Sequence, residues 1–465
     1  MGVKKAKLNL DFGHNGISVN FAVEKDSQPR EGIESDWNVG TFAFNDCEFE
    51  DFPGTAQDKI DEGRIKAIAN CIEKSISEWQ RENGCDFDSL MEVTISANFF
   101  DVLYSPVSFW HSKFKIITEN DMRGIEIDKY KKREAPIQSE KIRAFISPYF
   151  TISNEENATV KLLNPLGAKT KSLGFDVLYI NKLPAVSRLL EVMKDDDEKI
   201  RISLSCEKEF RALANKDEKE GKTALIHITN TLSEFSVWDK SELKYFNTKE
   251  GGLIKLKEIF WHLCLYYHKY PELIKQDFEF KRESKDVQKI FYDKIKNSSV
   301  SEDSKELLSA DDCLDLLEGA SCILENETED IFKYSRFALP GKNKAKTGFT
   351  ISNYILCYFA REAIRDLLLE IKQTMDKDKF CEPKSIIIEC PLPLKGIERL
   401  AGEVFGIPAR RAVVKWDQEP RDDLSSSAVG ALQSLIEGEK SSDSAEVKKK
   451  TTKFAAILEY LSKKL

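Results

Sequence analysis

The sequence predicts an α/β fold of two hairpin-led lobes, and three observations carry that prediction. Residues 7–23, KLNLDFGHNGISVNFAV, are two alternating apolar runs around a turn holding Gly13, Asn15 and Gly16, the pattern of a β-hairpin. Ile65, Ile68, Ala69, Ile72, Ile76 and Trp79 then recur at helical spacing within residues 61–82, and MEVTISANFF follows as a buried strand. A similar helix and hairpin return in KTALIHITNTLSEFSVW from Lys222, which suggests an internally duplicated fold.

The first lobe is therefore placed at residues 1–111. From about Ile116 the texture changes: Thr118 and Asp121 give a Thr-x-x-Asp helix start, and the short strands FISPYFTIS, ATVKLLNPLG and SLGFDVLYIN precede a helix, LPAVSRLLEVMKD. Residues 112–203 are expected to be a small inserted αβ subdomain. The second lobe is placed at 204–436, with a charged helical part at about 253–380 and a strand-turn-helix-strand unit from Lys384 to Val414. Residues 437–453 are Ser-rich and charged and read as a linker, followed by an amphipathic segment at 454–465.

At 465 residues the chain is long for a single hydrophobic core. Its 41% apolar and 32% charged residues are those of an ordinary soluble protein, and a net charge of −9 argues against nucleic acid as a partner. Neither a signal peptide nor a membrane span is recognisable. The ten cysteines are scattered without zinc-ligand spacing, so reduced thiols in a cytoplasmic protein are expected, with no metal site. The five histidines lie far apart, and no catalytic residue is nominated.

The opening LNLDFGHNGISV is similar to the first phosphate loop of the actin/Hsp70-like superfamily. ITENDM and the block from Asn164 to Met193 resemble the inserted subdomain of the bacterial division protein family FtsA. ANKDEKEGKTALIHI, KEGGLIKLKEI, KGIERLAGEVFGIPARRAVV and SSSAVGAL follow in that family's order. The resemblance covers most of residues 7–436. It implies an actin-like (ribonuclease H-like) two-lobed fold with an inserted subdomain as in FtsA and a C-terminal amphipathic helix.

The departures from that family fall where nucleotide chemistry belongs. In the first loop Asp11 and Gly13 survive, but His14 and Asn15 follow in place of the usual hydroxyl and basic residues. In the second, His227 stands at the acidic position, and Thr229, Asn230 and Thr231 replace glycines that let backbone N–H groups approach phosphate. Gly251 and Gly252 match a Gly-Gly turn of the family, whereas the adenosine-side Gly-Gly loop is replaced by Cys390 and Pro391, and proline has no N–H. The expectation is a dismantled site on a retained scaffold: a pseudo-ATPase with no cofactor, ATP and Mg²⁺ being disfavoured. Asp11 reads as a hairpin-turn residue bonding its own backbone rather than as a metal-linked acid, and His227 as a packing residue.

In the tail, Phe454, Ile457, Leu458, Leu461 and Leu465 share one helical face. With Lys453, Lys463 and Lys464 among its basic residues, the segment 448–465 carries a net charge of +5. A helix docked on its own protein and a membrane-interface helix both fit this pattern. The linker and the FtsA resemblance favour the membrane.

The resemblance then implies a protein that tethers FtsZ polymers to the cytoplasmic face of the cell membrane at the division site. Its partners would be the FtsZ C-terminal peptide, docking on the helical part of the second lobe, an anionic membrane surface, and further copies in an actin-like filament. The alternatives are an adaptor resembling the pilus-assembly actin-like protein PilM, or an ATP-binding member of the superfamily.

Overall fold

The structure, a computed structural model, describes residues 4–13, 16–25, 37–42, 61–124, 141–153, 158–162, 164–193, 199–270, 280, 283–298, 320–324, 334–339, 347–377, 382–416, 419–421 and 424–437. The chain divides into two compact units, one formed by residues 1–212 with 414–465 and the other by 213–413.

The first unit is built on strands β1 (Lys4–Gly13), β2 (Gly16–Glu24), β3 (Trp37–Thr41), β4 (Cys85–Ile95) and β9 (Lys199–Leu204), in the order β3-β2-β1-β4-β9. The hairpin strands pair antiparallel, and β4 and β9 add in parallel. Parallel pairing needs a crossover, supplied before β4 by helix α1 (Glu62–Asn83). Asp61 caps that helix, its carboxylate accepting from the N–H groups of Gly63 and Arg64, and Gly84 ends it at φ 61°.

Both faces of β1 are buried, with different chemistry. Ala6, Leu8, Leu10 and Phe12 alternate with Lys7, Asn9 and Asp11, and all seven are buried. Ala6 packs with Val23, Cys85 and Trp79 of α1. On the other face Ala22, Trp37 and Val39 pack with Trp416, Leu424, Val429 and Leu432, bringing the helix at 426–437 onto this sheet. The sequence reading assigned 414–436 to the second lobe. These apolar contacts, with the indole N–H of Trp416 donating to the Trp37 carbonyl at 3.1 Å, put them in the first unit instead.

Between β4 and β9 lies the insertion, a four-stranded sheet ordered β5-β8-β6-β7: β5 (Phe100–Ile116), β6 (Lys141–Ser153), β7 (Thr159–Leu162) and β8 (Lys169–Lys182), with the short helix α2 (Glu119–Gly124). It begins at Phe100 rather than residue 112, because β5 pairs with β8 from Phe100↔Lys182 out to Ile116↔Lys169. The strand is hard to read in sequence: Pro106 interrupts it, and a bulge between Trp110 and Lys115 breaks the two-residue alternation. It ends at Lys182, before helix α3 (Pro184–Val192), and β9 belongs to the first sheet.

Helix α4 (Ser205–Leu213) ends the first part of the first unit, all but its last residue belonging there. The second unit repeats the plan, helix α5 (Lys216–Glu220) leading to β10 (Lys222–Ile228), β11 (Leu232–Asp239) and β12 (Glu242–Glu250). These join β15 (Ser385–Glu389) and β16 (Ala409–Arg411) in the order β12-β11-β10-β15-β16, again an antiparallel trio followed by parallel strands. Ala224, Ile226 and Ile228 pack against α6 (Leu253–Lys269), α8 (Asn353–Lys377) and α9 (Ile397–Phe405). Phe260 and Phe359 are fully buried there. Each such side chain contributes about 2–3 kcal/mol. Helix α7 (Lys285–Lys296), capped by Ser284, adds Tyr292 to that core.

Two five-stranded sheets with one strand order, duplicated in one chain, are the actin-like arrangement the sequence predicted. One stretch read as helical is not: β13 (Tyr334–Leu339) and β14 (Thr347–Ser352) form an antiparallel hairpin. Among the described residues six cysteines are free and buried as expected, whereas Cys71 on α1 is disulfide-bonded, a pairing that scattered spacing gives no means of foreseeing.

Candidate nucleotide site

The two hairpins carry equivalent positions. Asp11 lies two residues before Gly13 at the end of β1, and His227 two residues before Thr229 at the end of β10. Each stands beside a parallel neighbour, Asp11 next to Thr94 of β4 and His227 next to Glu389 of β15.

Asp11 is not a turn residue. It sits within β1 opposite Ser18, and its buried carboxylate accepts from three hydroxyls: Thr94 at 2.5 Å, Ser425 at 2.8 Å and Ser427 at 2.9 Å. Ser425 also caps the helix at 426–437, accepting from the Ala428 N–H at 3.1 Å. The carboxylate therefore lies at a helix N-terminus, where the dipole favours an anion. A Cβ on Gly13 would come within 2.9 Å of the Asp11 carboxylate, so glycine is needed there for space.

Asp11 is one end of a polar ladder across the sheet. The Asn9 amide donates to the Glu92 carbonyl at 3.1 Å and to the Thr94 hydroxyl at 3.3 Å. Asn20 donates to Asn9 at 3.2 Å, and Thr41 to Asn20 at 2.8 Å. Beyond Asn9 the fully buried Glu92 accepts from Ser203 at 2.6 Å and pairs with Lys208 at 2.9 Å and with Arg201. Burial pulls the Lys208 ammonium below its usual range, and Glu92 opposes that shift. These partners satisfy groups that would each cost one to a few kcal/mol if buried alone.

In the second unit the loop between β10 and β11 is closed on itself. The Thr229 N–H and hydroxyl both donate to the Leu232 carbonyl, at 2.9 and 2.8 Å, and the Leu232 N–H returns to the Thr229 hydroxyl at 3.2 Å. The start of α6 is tied to the same loop: Gly251 N–H donates to Thr231 O, Leu253 to Thr229 O and Ile254 to Asn230 O, at 2.8–3.0 Å. The N–H groups of Thr229 in the loop and of Leu253 and Ile254 at the helix N-terminus, where a phosphate would take donors, are thus committed to carbonyls.

The local backbone explains the residue types. Among the described residues only Lys240 and Ser241 are non-glycine positions with positive φ, so Thr229, Asn230 and Thr231 avoid the left-handed path that a β-branched residue resists. Gly251, at φ 95°, does take it. Gly252 is required by approach: a Cβ there would stand 2.0 Å from the Thr229 carbonyl oxygen and 2.8 Å from that of Leu232. The Gly-Gly turn clamps the helix onto the altered loop.

His227 is on the sheet face opposite the main core, with Nδ1 3.6 Å from a Glu389 carboxylate oxygen. After β15, burial pushes the Cys390 thiol up to about 11. Arg411 donates to the Cys390 and Leu392 carbonyls at 3.3 and 2.8 Å, so this turn is held by a guanidinium from β16.

His14 and Asn15 lie outside the described residues, as do linker residues 438–453 and the tail residues Lys453, Phe454, Ile457, Leu458, Leu461, Lys463, Lys464 and Leu465. Sequence reading missed Thr94 and Arg411, and it noticed Ser425 and Ser427 only as part of a resemblance.

No protein-family model matches the sequence, and no curated protein matches it. Among solved structures, the chain is similar to a PilM–PilN type IV pilus biogenesis complex (9% identity, TM-score 0.40, covering 92% of this chain and 98% of that one). It is also similar to MreB5 of Spiroplasma citri bound to ADP (9%, 0.44, 94% and 98%) and to a non-polymerising MamK bound to AMPPNP (8%, 0.44, 93% and 99%).

Proposed function

We propose that this chain is an FtsA-like actin-fold scaffold that tethers FtsZ polymers to the cytoplasmic face of the membrane at the division site, without turning over ATP. The closure of the Thr229–Leu232 loop onto α6 carries the nucleotide part of this reading, since each backbone N–H it commits is one fewer for a phosphate. With that loop closed, self-assembly into filaments proceeds in ATP, in ADP or in neither. The tether part is supported by the sequence of the tail, and the FtsZ peptide is assigned to the helical region of residues 253–380 by family resemblance.

Co-sedimentation with phosphatidylglycerol vesicles tests the tether by comparing the full chain with a form ending at Val447. Pelleting of the full chain alone, weakened by salt, is the expected result. If neither form pellets, the tail is no membrane anchor, and an adaptor recruited by a membrane-protein partner is the better reading. FtsZ recruitment is read in the same assay: its polymers should join the vesicle pellet only with the full chain present.

A further inference from the structure

The tip of the inserted sheet, far from its root, joins apolar and basic side chains. Ile116 ends the 17-residue strand β5 at 57% exposure, Leu166 stands at 43% in the turn before β8, and Val160 of β7 at 37%. They share one end of the sheet. Ile116 is paired with Lys169, and Ile117 exchanges hydrogen bonds with Gly167 and Ala168, both at 2.9 Å. Val160 pairs with Ile152, whose neighbour Ser153 bonds to Thr170. The root, where the Leu183 N–H meets the Phe99 carbonyl, is roughly 40 Å away along β8.

The tip is held rigidly. The Leu166 N–H donates to the Asn164 side chain at 3.0 Å, and Gly167 turns the chain at φ 79°. Asp121 ties Lys115 to the N–H and hydroxyl of Thr118, and these bonds hold its carboxyl well below the usual carboxylate range. Lys113 of β5 and Lys169 and Lys171 of β8 are exposed at this end of the sheet, Lys169 directly opposite Ile116. Residues 100–182 carry thirteen Lys and Arg against ten Asp and Glu, on a chain whose net charge is −9.

We infer that this tip is a second membrane contact, inserting Ile116 and Leu166 among the headgroups of an anionic lipid surface. It deepens the tether reading above and rests on it for the presence of a membrane. Charge complementarity selects the anionic surface, and contact size selects lipid over protein. Three separate side chains cover on the order of a few hundred Å², well short of the roughly 800 Å² per partner of a stable protein interface. Lipid demands no shape complementarity, and each lysine at an anionic surface strengthens partitioning about fivefold. A single weak anchor gives marginal attachment, so tail and tip together would act as two signals.

The test uses the full chain in four forms: unaltered, with the tip charged (Ile116→Asp, Lys169→Glu), with the tail charged (Leu458→Asp, Leu461→Asp), and with both. Partition onto phosphatidylglycerol vesicles is measured against phosphatidylcholine vesicles, with unfolding midpoints checked. Leu166→Asp serves as an independent tip variant should the double change disturb folding. The expected result is about a tenfold loss on charging the tip, at an unchanged midpoint, and loss of the residual binding left by the tail variant. Equal binding with and without the tip changes, in both tail backgrounds, would overturn the inference while leaving a tail anchor standing. Tip-dependent binding that the tail changes leave undiminished would uphold it and remove the tail reading. A tip change that alters pelleting only without vesicles would mean a contact between copies of the chain, and would also overturn it.

Discussion

The β1–β2 and β10–β11 hairpins begin from the same plan and use it in opposite ways. In the first, Asp11 and Gly13 keep the composition of a phosphate loop, yet the carboxylate is saturated by Thr94, Ser425 and Ser427. In the second, His227, Thr229, Asn230 and Thr231 lack that composition, and the loop is sealed by its own carbonyls and by Gly252. A retained aspartate is therefore weak evidence of nucleotide chemistry by itself. What matters is whether its partners leave it available.

If the second hairpin is a structural clamp, Gly252→Ala should have the largest effect. The added methyl meets backbone at 2.0 Å, which no side-chain rotation relieves. A loss of about 3 kcal/mol or more is expected in denaturant unfolding. Gly430→Ala is the matching change in the first unit, its methyl meeting the Lys208 carbonyl oxygen at 1.9 Å. A mild effect at residue 252 with a severe one at 430 would break the symmetry of the comparison.

Next in size is Glu92→Ala, which strands Lys208 in a buried site and should cost about 3–5 kcal/mol. Glu92→Gln with Lys208→Met, which removes both charges, should recover much of that. Failure of the pair to do so would show that the ladder depends on its hydrogen bonds more than on its charges.

Asp11→Asn keeps an acceptor but removes the charge at the helix N-terminus, and about 1–2 kcal/mol should be lost. His227→Asp places an acid beside Glu389 and should bring no ATP binding, because the Thr229, Leu253 and Ile254 N–H groups stay committed. Binding after that single change would place the defect in one side chain rather than in the loop.

The smallest effect is pH-dependent. Glu218 caps α5 with Asn215 and receives two bonds from Arg410, at 2.7 and 2.6 Å. Burial raises its pKa most strongly, but the Arg410 and Asn215 bonds together outweigh it, leaving a net shift below 4.5. A carboxylate lowered in the folded state stabilises fully above its unfolded value and loses that contribution as pH falls through the folded one. Unfolding midpoints should therefore drop below about pH 4.5, and the part that Arg410→Gln abolishes belongs to this pair.

Much of the fold was legible because alternation and helical spacing are local. Both hairpins, α1, α8 and the strands of the inserted sheet around β6 and β8 could be read that way. The root of the insertion was not, since Pro106 and the bulge after Trp110 hide a long strand. Nor was the position of residues 414–437, which depends on Trp416 meeting Trp37 from 379 residues away. The shortage of glycine in the β10–β11 loop showed in its residue types. Its closure did not, because the bonds joining Thr229, Leu232 and Leu253 follow from backbone path rather than composition.

The measurement that bears most directly on this account is calorimetric titration of the full chain with ATP and with ADP, each in Mg²⁺, with unfolding midpoints followed in parallel. The closed loop predicts no saturable heat at ligand up to on the order of 1 mM, and no midpoint shift. A dissociation constant on the order of 1 μM, with a rise in midpoint that grows with ligand, would contradict it.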